Sequence, residues 1–330
     1  PSIDQWQRLF ELAVQIKDFS PWDWIQEQDL FAIENPETKE IGFVSVMGSI
    51  GEHFSIALYR GKEVLYKFWD FQENFSAESD LAFQKIIEMR QLQLSYEDRK
   101  FLKKQDRDII KKLGLIFRGK NAWPIFRSYE PGFVPWQINS SEAQYLIFVL
   151  EQTLEISRRL KDEPDLLIPD ENGYLLRRQS GKGKKVAWQD SVWHETLVPP
   201  EPISFALDMI MIEKLKGLRK SKESFEIDIF MSPHPIYEEG QRPYYPYILL
   251  VLETKIGMVT GYDIVVPLPN LDAMWQRMPS VIGRIFNKIS FLPKALYVAS
   301  EDLYHCLNYM SNYVDLSIEY VEELFIAPEA

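Results

Sequence analysis

Between residues 224 and 325 the apolar positions change period in a set order. Residues 225–231, 247–253 and 258–266 carry apolar positions over strand lengths, and Thr254-Lys255-Ile256-Gly257 supplies a turn between the last two. Leu271, Met274, Trp275, Met278, Ile282 and Ile285 then recur at helical spacing behind the cap residue Asn270, with Pro279 expected to kink the helix. Residues 295–299 read as a strand, 301–312 as a helix, 316–319 as a strand and 321–326 as a short last helix. The predicted order is strand, strand, strand, helix, strand, helix, strand, helix.

The first part of the chain mixes periods. Ile3, Trp6, Phe10, Ala13 and Val14 mark a helix, with Ser2 and Gln5 spaced as a capping box. Strands are predicted at 30–33, 41–47, 54–59 and 88–96, the first two joined by the turn Asn35-Pro36-Glu37-Thr38-Lys39. Helices are predicted at 62–71 and 105–113, the second ending at Gly114. Residues 123–136 read as an extended, turn-broken segment. Asn139 and Glu142 then cap a long helix whose apolar face holds Ala143, Leu146, Ile147, Leu150 and Leu154. A hairpin over 173–195, a proline linker at Pro199, Pro200 and Pro202, and a helix over 203–218 follow. The expected fold class is α+β with two domains. An N-terminal domain (1–138) has a small mixed sheet with helices. A long helix, hairpin and linker (139–202) lead to the C-terminal domain (203–330).

Composition narrows the function classes. The 330 residues are 46% hydrophobic and 14% aromatic, enough for an ordinary packed core. The net charge of -12 repels phosphate, so a nucleic-acid partner is disfavoured. Basic residues cluster at 99–120, 177–185 and 214–222. The middle cluster, on a glycine-rich turn, is the best local nucleic-acid candidate, but a solvated hairpin tip is the preferred reading. One cysteine, Cys306, allows no intrachain disulfide and fits a reducing compartment. No run approaches the ~20 apolar residues of a membrane span, and residues 1–17 read as an amphipathic helix rather than a secretory leader. A cytoplasmic location is expected.

Candidate chemistry is sparse. Trp22, Asp23 and Trp24 with Glu27 and Asp29 form an aromatic and acidic cluster. It suits a pocket for a cationic or sugar-like ligand, walled by Trp22, Trp24 and Glu52; the alternative packs one indole into the core. The glycine-rich stretch 47–53 precedes a strand, so a hairpin turn is preferred to a phosphate loop. None of His53, His194, His234 and His305 has a zinc-ligand spacing, and Cys306 reads as a buried structural thiol.

Two resemblances add to this. Trp22-Asp23-Trp24, Asp29-Leu30-Phe31, Asn35-Pro36-Glu37-Thr38, Ser45-Val46-Met47-Gly48, Gly51-Glu52-His53 and 117–124 (Phe-Arg-Gly-Lys-Asn-Ala-Trp-Pro) together resemble a family of uncharacterised bacterial proteins, domains of unknown function. That resemblance implies no assigned activity. The element order of the last third resembles the ribonuclease H-like fold of integrase cores. It implies a first-strand acid at Asp228, a second at Asp302 (or its neighbour Glu301) and a third at Glu322 or Glu323. In that family, carboxylates converge on two Mg²⁺ or Mn²⁺ ions about 4 Å apart that clamp the attacking and leaving oxygens. Asp228 and Asp302 are the implied metal ligands, with Glu253 a further candidate.

The favoured expectation is a non-catalytic binding or interaction module with a degenerate ribonuclease H-like domain, no certain cofactor and an unidentified protein partner. The alternative is a divalent-metal-dependent phosphodiester hydrolase or transferase.

Overall fold

Ser2 opens the first helix, α1 (Ile3–Phe19), in this computed structural model. Its side chain accepts from the Gln5 N–H at 3.1 Å while the Gln5 side chain accepts from the Ser2 N–H at 2.9 Å. This reciprocal box satisfies two of the donors that a helix N-terminus leaves open. The structure describes residues 1–51, 53–74, 80–170, 173–181, 186–194 and 202–324. The chain is α+β and divides into two compact units, residues 1–130 with 135–200 and residues 131–134 with 201–330.

Unit 1 is built on one sheet. Strands β1 (Phe31–Glu34), β2 (Ile41–Met47), β3 (Ser55–Arg60), β4 (Gln91–Glu97) and β5 (Trp123–Tyr129) form an antiparallel meander. Strands β6 (Gly173–Ser180) and β7 (Ala187–His194) extend it past β1, giving the order β5-β4-β3-β2-β1-β6-β7. The helices are α2 (Glu63–Asn74), α3 (Asp80–Ile87), α4 (Lys104–Lys112) and α5 (Ser140–Arg159).

The sheet is therefore larger than the small one predicted, and the segment assigned as a link over 139–202 lies largely inside unit 1. The physical reason is burial. α5 and α1 put Leu146, Val149 and Leu150 with Leu9, Phe10 and Ala13 onto one sheet face, against Val44, Ile56, Leu58 and Leu92. The β6–β7 hairpin covers the edge that β1 would otherwise leave open, Ala32 and Ile33 pairing with Leu176 and Arg177. Helix and sheet approach closely at Gly42, where a Cβ would lie 2.6 Å from Leu58 Cδ1 and 3.0 Å from the Tyr145 hydroxyl. That hydroxyl sits 3.1 Å from the carbonyl oxygens of Ile33 and Glu40 and donates into them. On the other face, Phe43, Ala57 and Tyr59 meet Val64, Leu65 and Phe68 of α2.

Unit 2 begins with α6 (Met209–Lys216), shorter than the helix predicted over 203–218. Asp208 caps it, accepting from the N–H groups of Ile210 and Met211 at 2.9 and 3.2 Å. Ile203, Phe205 and Leu207 alternate instead of following a helical period, and they pack as extended chain on the core of unit 2. Strands β9 (Phe225–Met231), β10 (Tyr247–Glu253) and β11 (Met258–Val265) form an antiparallel meander, preceded by the short β8 (Arg219–Lys220). Helices α7 (Leu271–Gln276) and α8 (Met278–Ile289) break next to Pro279. Then come β12 (Phe291–Leu292), which pairs with β8, and β13 (Leu296–Val298), α9 (Glu301–Ser311) and β14 (Ile318–Tyr320). The main sheet runs β11-β10-β9-β13-β14, with β13 parallel to β9 and β14 parallel to β13. The predicted last helix is not found over 321–324, and its remainder lies outside the described residues.

The two faces of this sheet differ. Phe225, Ile227, Tyr247, Leu249, Val251, Leu296 and Val298 join residues of α6, α7, α8 and α9 in one core. Period-two alternation puts Glu226, Asp228 and Phe230 on the opposite face with Ile248, Leu250, Tyr262 and Ile264. Glu226 is fully buried there, whereas Phe230, Tyr262 and Ile264 are 38, 58 and 56% exposed.

Candidate functional site

The acids predicted from the last third lie in different settings. Asp228 is half-buried in the middle of β9, opposite Leu250, and its Oδ1 accepts from the Ile229 N–H at 2.9 Å. Burial pushes its carboxyl above the ordinary range, and the charge of Glu226 adds to this against the backbone hydrogen bond. Asp302 is exposed in the first turn of α9, where an acid complements the helix dipole whatever its other role. Glu322 is exposed beyond β14. Glu253 pairs with Phe225, three register steps from Asp228, or about 10 Å at the ordinary strand rise. Among the described residues, no three of His, Cys, Asp and Glu stand together as metal ligands, so Asp228, Asp302 and Glu322 are not assembled as a three-carboxylate site.

The tryptophan cluster of unit 1 splits. A 3-10 turn, Pro21–Asp23, follows Ser20 in a left-handed conformation and sends Trp22 inward. Trp22 is buried, its ring 5.0 Å from Phe54 and 5.6 Å from Tyr96. The Lys17 ammonium closes this cluster, 4.8 Å from the Phe54 ring and 4.9 Å from the Tyr96 ring, while donating to the Asn121 carbonyl at 2.6 Å. Burial lowers its pKa from the ordinary lysine value. Trp22 is thus a core residue and not a pocket wall, because its turn aims it at the sheet. Glu52 lies outside the described residues.

Trp24, two residues on, remains 36% exposed and walls a cavity of about 460 Å³. Ile25, Leu160 and Leu167 give it an apolar floor, and Asp29 and Lys161 are charged groups in its lining. Phe19 meets Trp24 edge-to-face at 5.1 Å and 83°. The Lys161 ammonium stands 4.5 Å from the Phe19 ring centroid and 5.1 Å from that of Trp24. The residues come from two places: the turn after α1, and the loop leaving α5.

Residues 6–178, more than half of the chain, match the model of a domain of unknown function (DUF7309). The chain belongs to this family. Residues 211–330 match a second domain of unknown function (DUF6930), and no curated protein matches the chain. The cavity falls wholly within the DUF7309 region. Asp228, Asp302 and Glu322 all fall within the DUF6930 region.

The DUF7309 region also holds buried polar groups outside the candidate residues of the sequence. Arg127 donates to both carboxylate oxygens of Asp106, at 2.8 and 2.6 Å, with both side chains about 10% exposed. Gln93, on the sheet face away from α1, accepts from the Tyr129 hydroxyl at 2.8 Å and lies 3.4 Å from Ser55 Oγ and 3.5 Å from His53 Nε2. Nearby, burial raises the Glu27 carboxyl, opposed by hydrogen bonding from Gln72 and the charge of His53. The available signal was the alternation Gln91-Leu92-Gln93-Leu94-Ser95, which sends polar side chains to one face.

Three members of the basic clusters are tied down. Arg177 is buried, donates to Gln152 at 2.9 Å and pairs with Asp190, so it does not extend a basic loop; 182–185 lie outside the described residues. Lys216 pairs with Glu213 and Lys220 with Asp315. Cys306 is buried and burial pushes its thiol up, as for an unreactive core cysteine.

Proposed function

We propose that the chain is a non-catalytic binding protein whose ligand site is the Trp24 cavity of unit 1, with unit 2 a degenerate ribonuclease H-like scaffold. One observation carries this reading: a half-exposed indole walls a cavity of about 460 Å³ with an apolar floor and a few charged groups. Small-molecule sites have this size and this balance of lining. Core packing accounts for Trp22 but gives no reason to leave Trp24 in a concavity. The test is calorimetric titration of benzyltrimethylammonium, benzyl alcohol and benzoate into the full chain and into Trp24→Ala. At least one probe is expected to bind and to be lost in the variant. Equal binding by both proteins, or no binding by either, overturns the reading.

The strand order of unit 2 favours a second reading. An antiparallel meander followed by two strands parallel to β9, with Asp228 on the central strand, resembles the ribonuclease H-like order, and this likeness supports reading unit 2 as a metal-dependent phosphodiester hydrolase or transferase. Asp228 and Asp302 would then hold Mg²⁺ or Mn²⁺ without Glu322, which the fold does not gather with them. On this reading the thermal midpoint rises with millimolar Mn²⁺, and the rise is lost in the Asp228→Asn, Asp302→Asn double variant. An unchanged midpoint in the wild-type chain removes this reading.

A further inference from the structure

We infer that the Trp24 cavity takes a small organic cation with an apolar body, an alkyl- or benzylammonium; this rests on the reading that the cavity is a ligand site. The rings already hold a cation. Phe19 and Trp24 form a corner, and the Lys161 ammonium stands within 5.1 Å of both ring centroids. A ring face attracts positive charge through its quadrupole, most strongly for indole. Lys161 is an exposed, flexible side chain, well hydrated when it leaves, so it holds the corner as a replaceable occupant. An N-alkylated ammonium is more weakly hydrated than a lysine head and loses less on entering the corner.

The remaining lining agrees. Asp29 contributes a carboxylate, while Ile25, Leu160, Leu167 and Ile168 contribute apolar surface for a carbon body. The loop leaving α5 exposes Asp162, Glu163 and Asp165, and Asp23 is exposed beside Trp24. Arg159, at the end of α5, is committed to Glu163 and Asp190 at 3.2 and 2.8 Å. With a net charge of -12, the surroundings draw cations and repel carboxylates. A sugar fits poorly. It needs several directional donors and acceptors, and among the lining side chains only the Trp24 indole N–H, Asp29 and Lys161 supply any.

The three probes above, with Nα-acetyl-lysine methylamide as a fourth, are titrated into wild type, Trp24→Ala and Lys161→Met. Benzyltrimethylammonium should bind about tenfold or more tightly than benzyl alcohol. Trp24→Ala should remove that advantage. Lys161→Met, by clearing the ring faces, should tighten benzyltrimethylammonium several-fold, an effect that a merely structural Lys161 would not produce. Equal binding of the lysine derivative, whose ammonium is hydrated like that of Lys161, overturns the small-cation inference and assigns the corner to a protein side chain. If benzoate binds best and is lost in Lys161→Met, the cation inference falls while the cavity remains a ligand site. If benzyl alcohol binds as well as the cation, the inference also falls. If nothing binds, the ligand site itself falls, and the inference with it.

Discussion

The two sheets handle their polar residues in opposite ways. In unit 1 the sheet is covered on both faces, by α1 and α5 on one and by α2 on part of the other. Polar side chains caught there have found protein partners: Arg127 with Asp106, Gln93 with Tyr129, Tyr145 with two carbonyls. In unit 2, the four helices among the described residues contribute to one face. The other face closes over Glu226 but leaves Phe230, Tyr262 and Ile264 exposed, with Asp228 half-buried beside them. Coverage decides which charges need a specific geometry. A carboxylate enclosed on two sides must be paired or neutralised, whereas one on a half-open face is partly satisfied by water. The acids of unit 2 caught attention in the sequence by their place in an element order. The side chains that the fold holds most tightly are in unit 1.

The largest test of this contrast is the Arg127–Asp106 pair. Arg127→Met strands a buried carboxylate and should cost unit 1 about 3–5 kcal/mol. Arg284→Met, which breaks the exposed Arg284–Asp263 pair of unit 2, should cost about 1 kcal/mol or less. Eight of the nine tryptophans lie in unit 1, so urea unfolding followed by fluorescence reports that unit, and amide exchange of β9–β11 reports the other. Adding Asp106→Leu to Arg127→Met should restore most of the lost stability, because the unpaired charge is then gone. A single-variant cost below about 1 kcal/mol would erase the contrast between the units.

Local periodicity carried much of the fold. The capping boxes at Ser2 and Asn139, the β1–β2 turn and the strand sequence of unit 2 are written in neighbouring residues, and they formed where expected. The width of the unit 1 sheet was not legible. The β1–β6 pairing is parallel, registers only two residue pairs and joins segments far apart in the chain, so no local pattern announces it. The candidate site was legible by half. Trp22-Asp23-Trp24 is conspicuous, yet which indole faces inward depends on the turn after Ser20, whose left-handed backbone no side-chain pattern reveals. Lys161 reads as an ordinary solvated helix end, and its place over Phe19 and Trp24 exists only once α5 has packed beside α1. Arg177 misled in the same way: it belongs to a basic run in sequence and to a buried hydrogen-bonded pair in space.

The smallest effects lie in pH dependence, where the two units should differ in sign. For Asp190 of unit 1, burial favours the neutral acid, but hydrogen bonds from Arg159 and Arg177 outweigh it and hold the carboxyl below its ordinary value of 3.8. The unfolded chain therefore binds this proton more readily than the folded one. The stabilisation is fully present above the ordinary value and is lost as pH falls through the depressed one, so stability rises with pH across that window. For Asp228 of unit 2, burial dominates, Glu226 adds to it, and the folded pKa lies above 3.8. The folded chain now keeps its proton longer, so stability falls as pH rises from the ordinary value to the raised one. Amide exchange between pH 3 and 6 in metal-free buffer, on wild type, Asp190→Asn and Asp228→Asn, separates the two. Asp190→Asn should flatten a rising contribution in unit 1, and Asp228→Asn a falling one in unit 2. Two slopes of the same sign would mean that Asp228 is held in its charged form on the half-open face of unit 2, as Asp190 is by its two arginines at the edge of the unit 1 sheet.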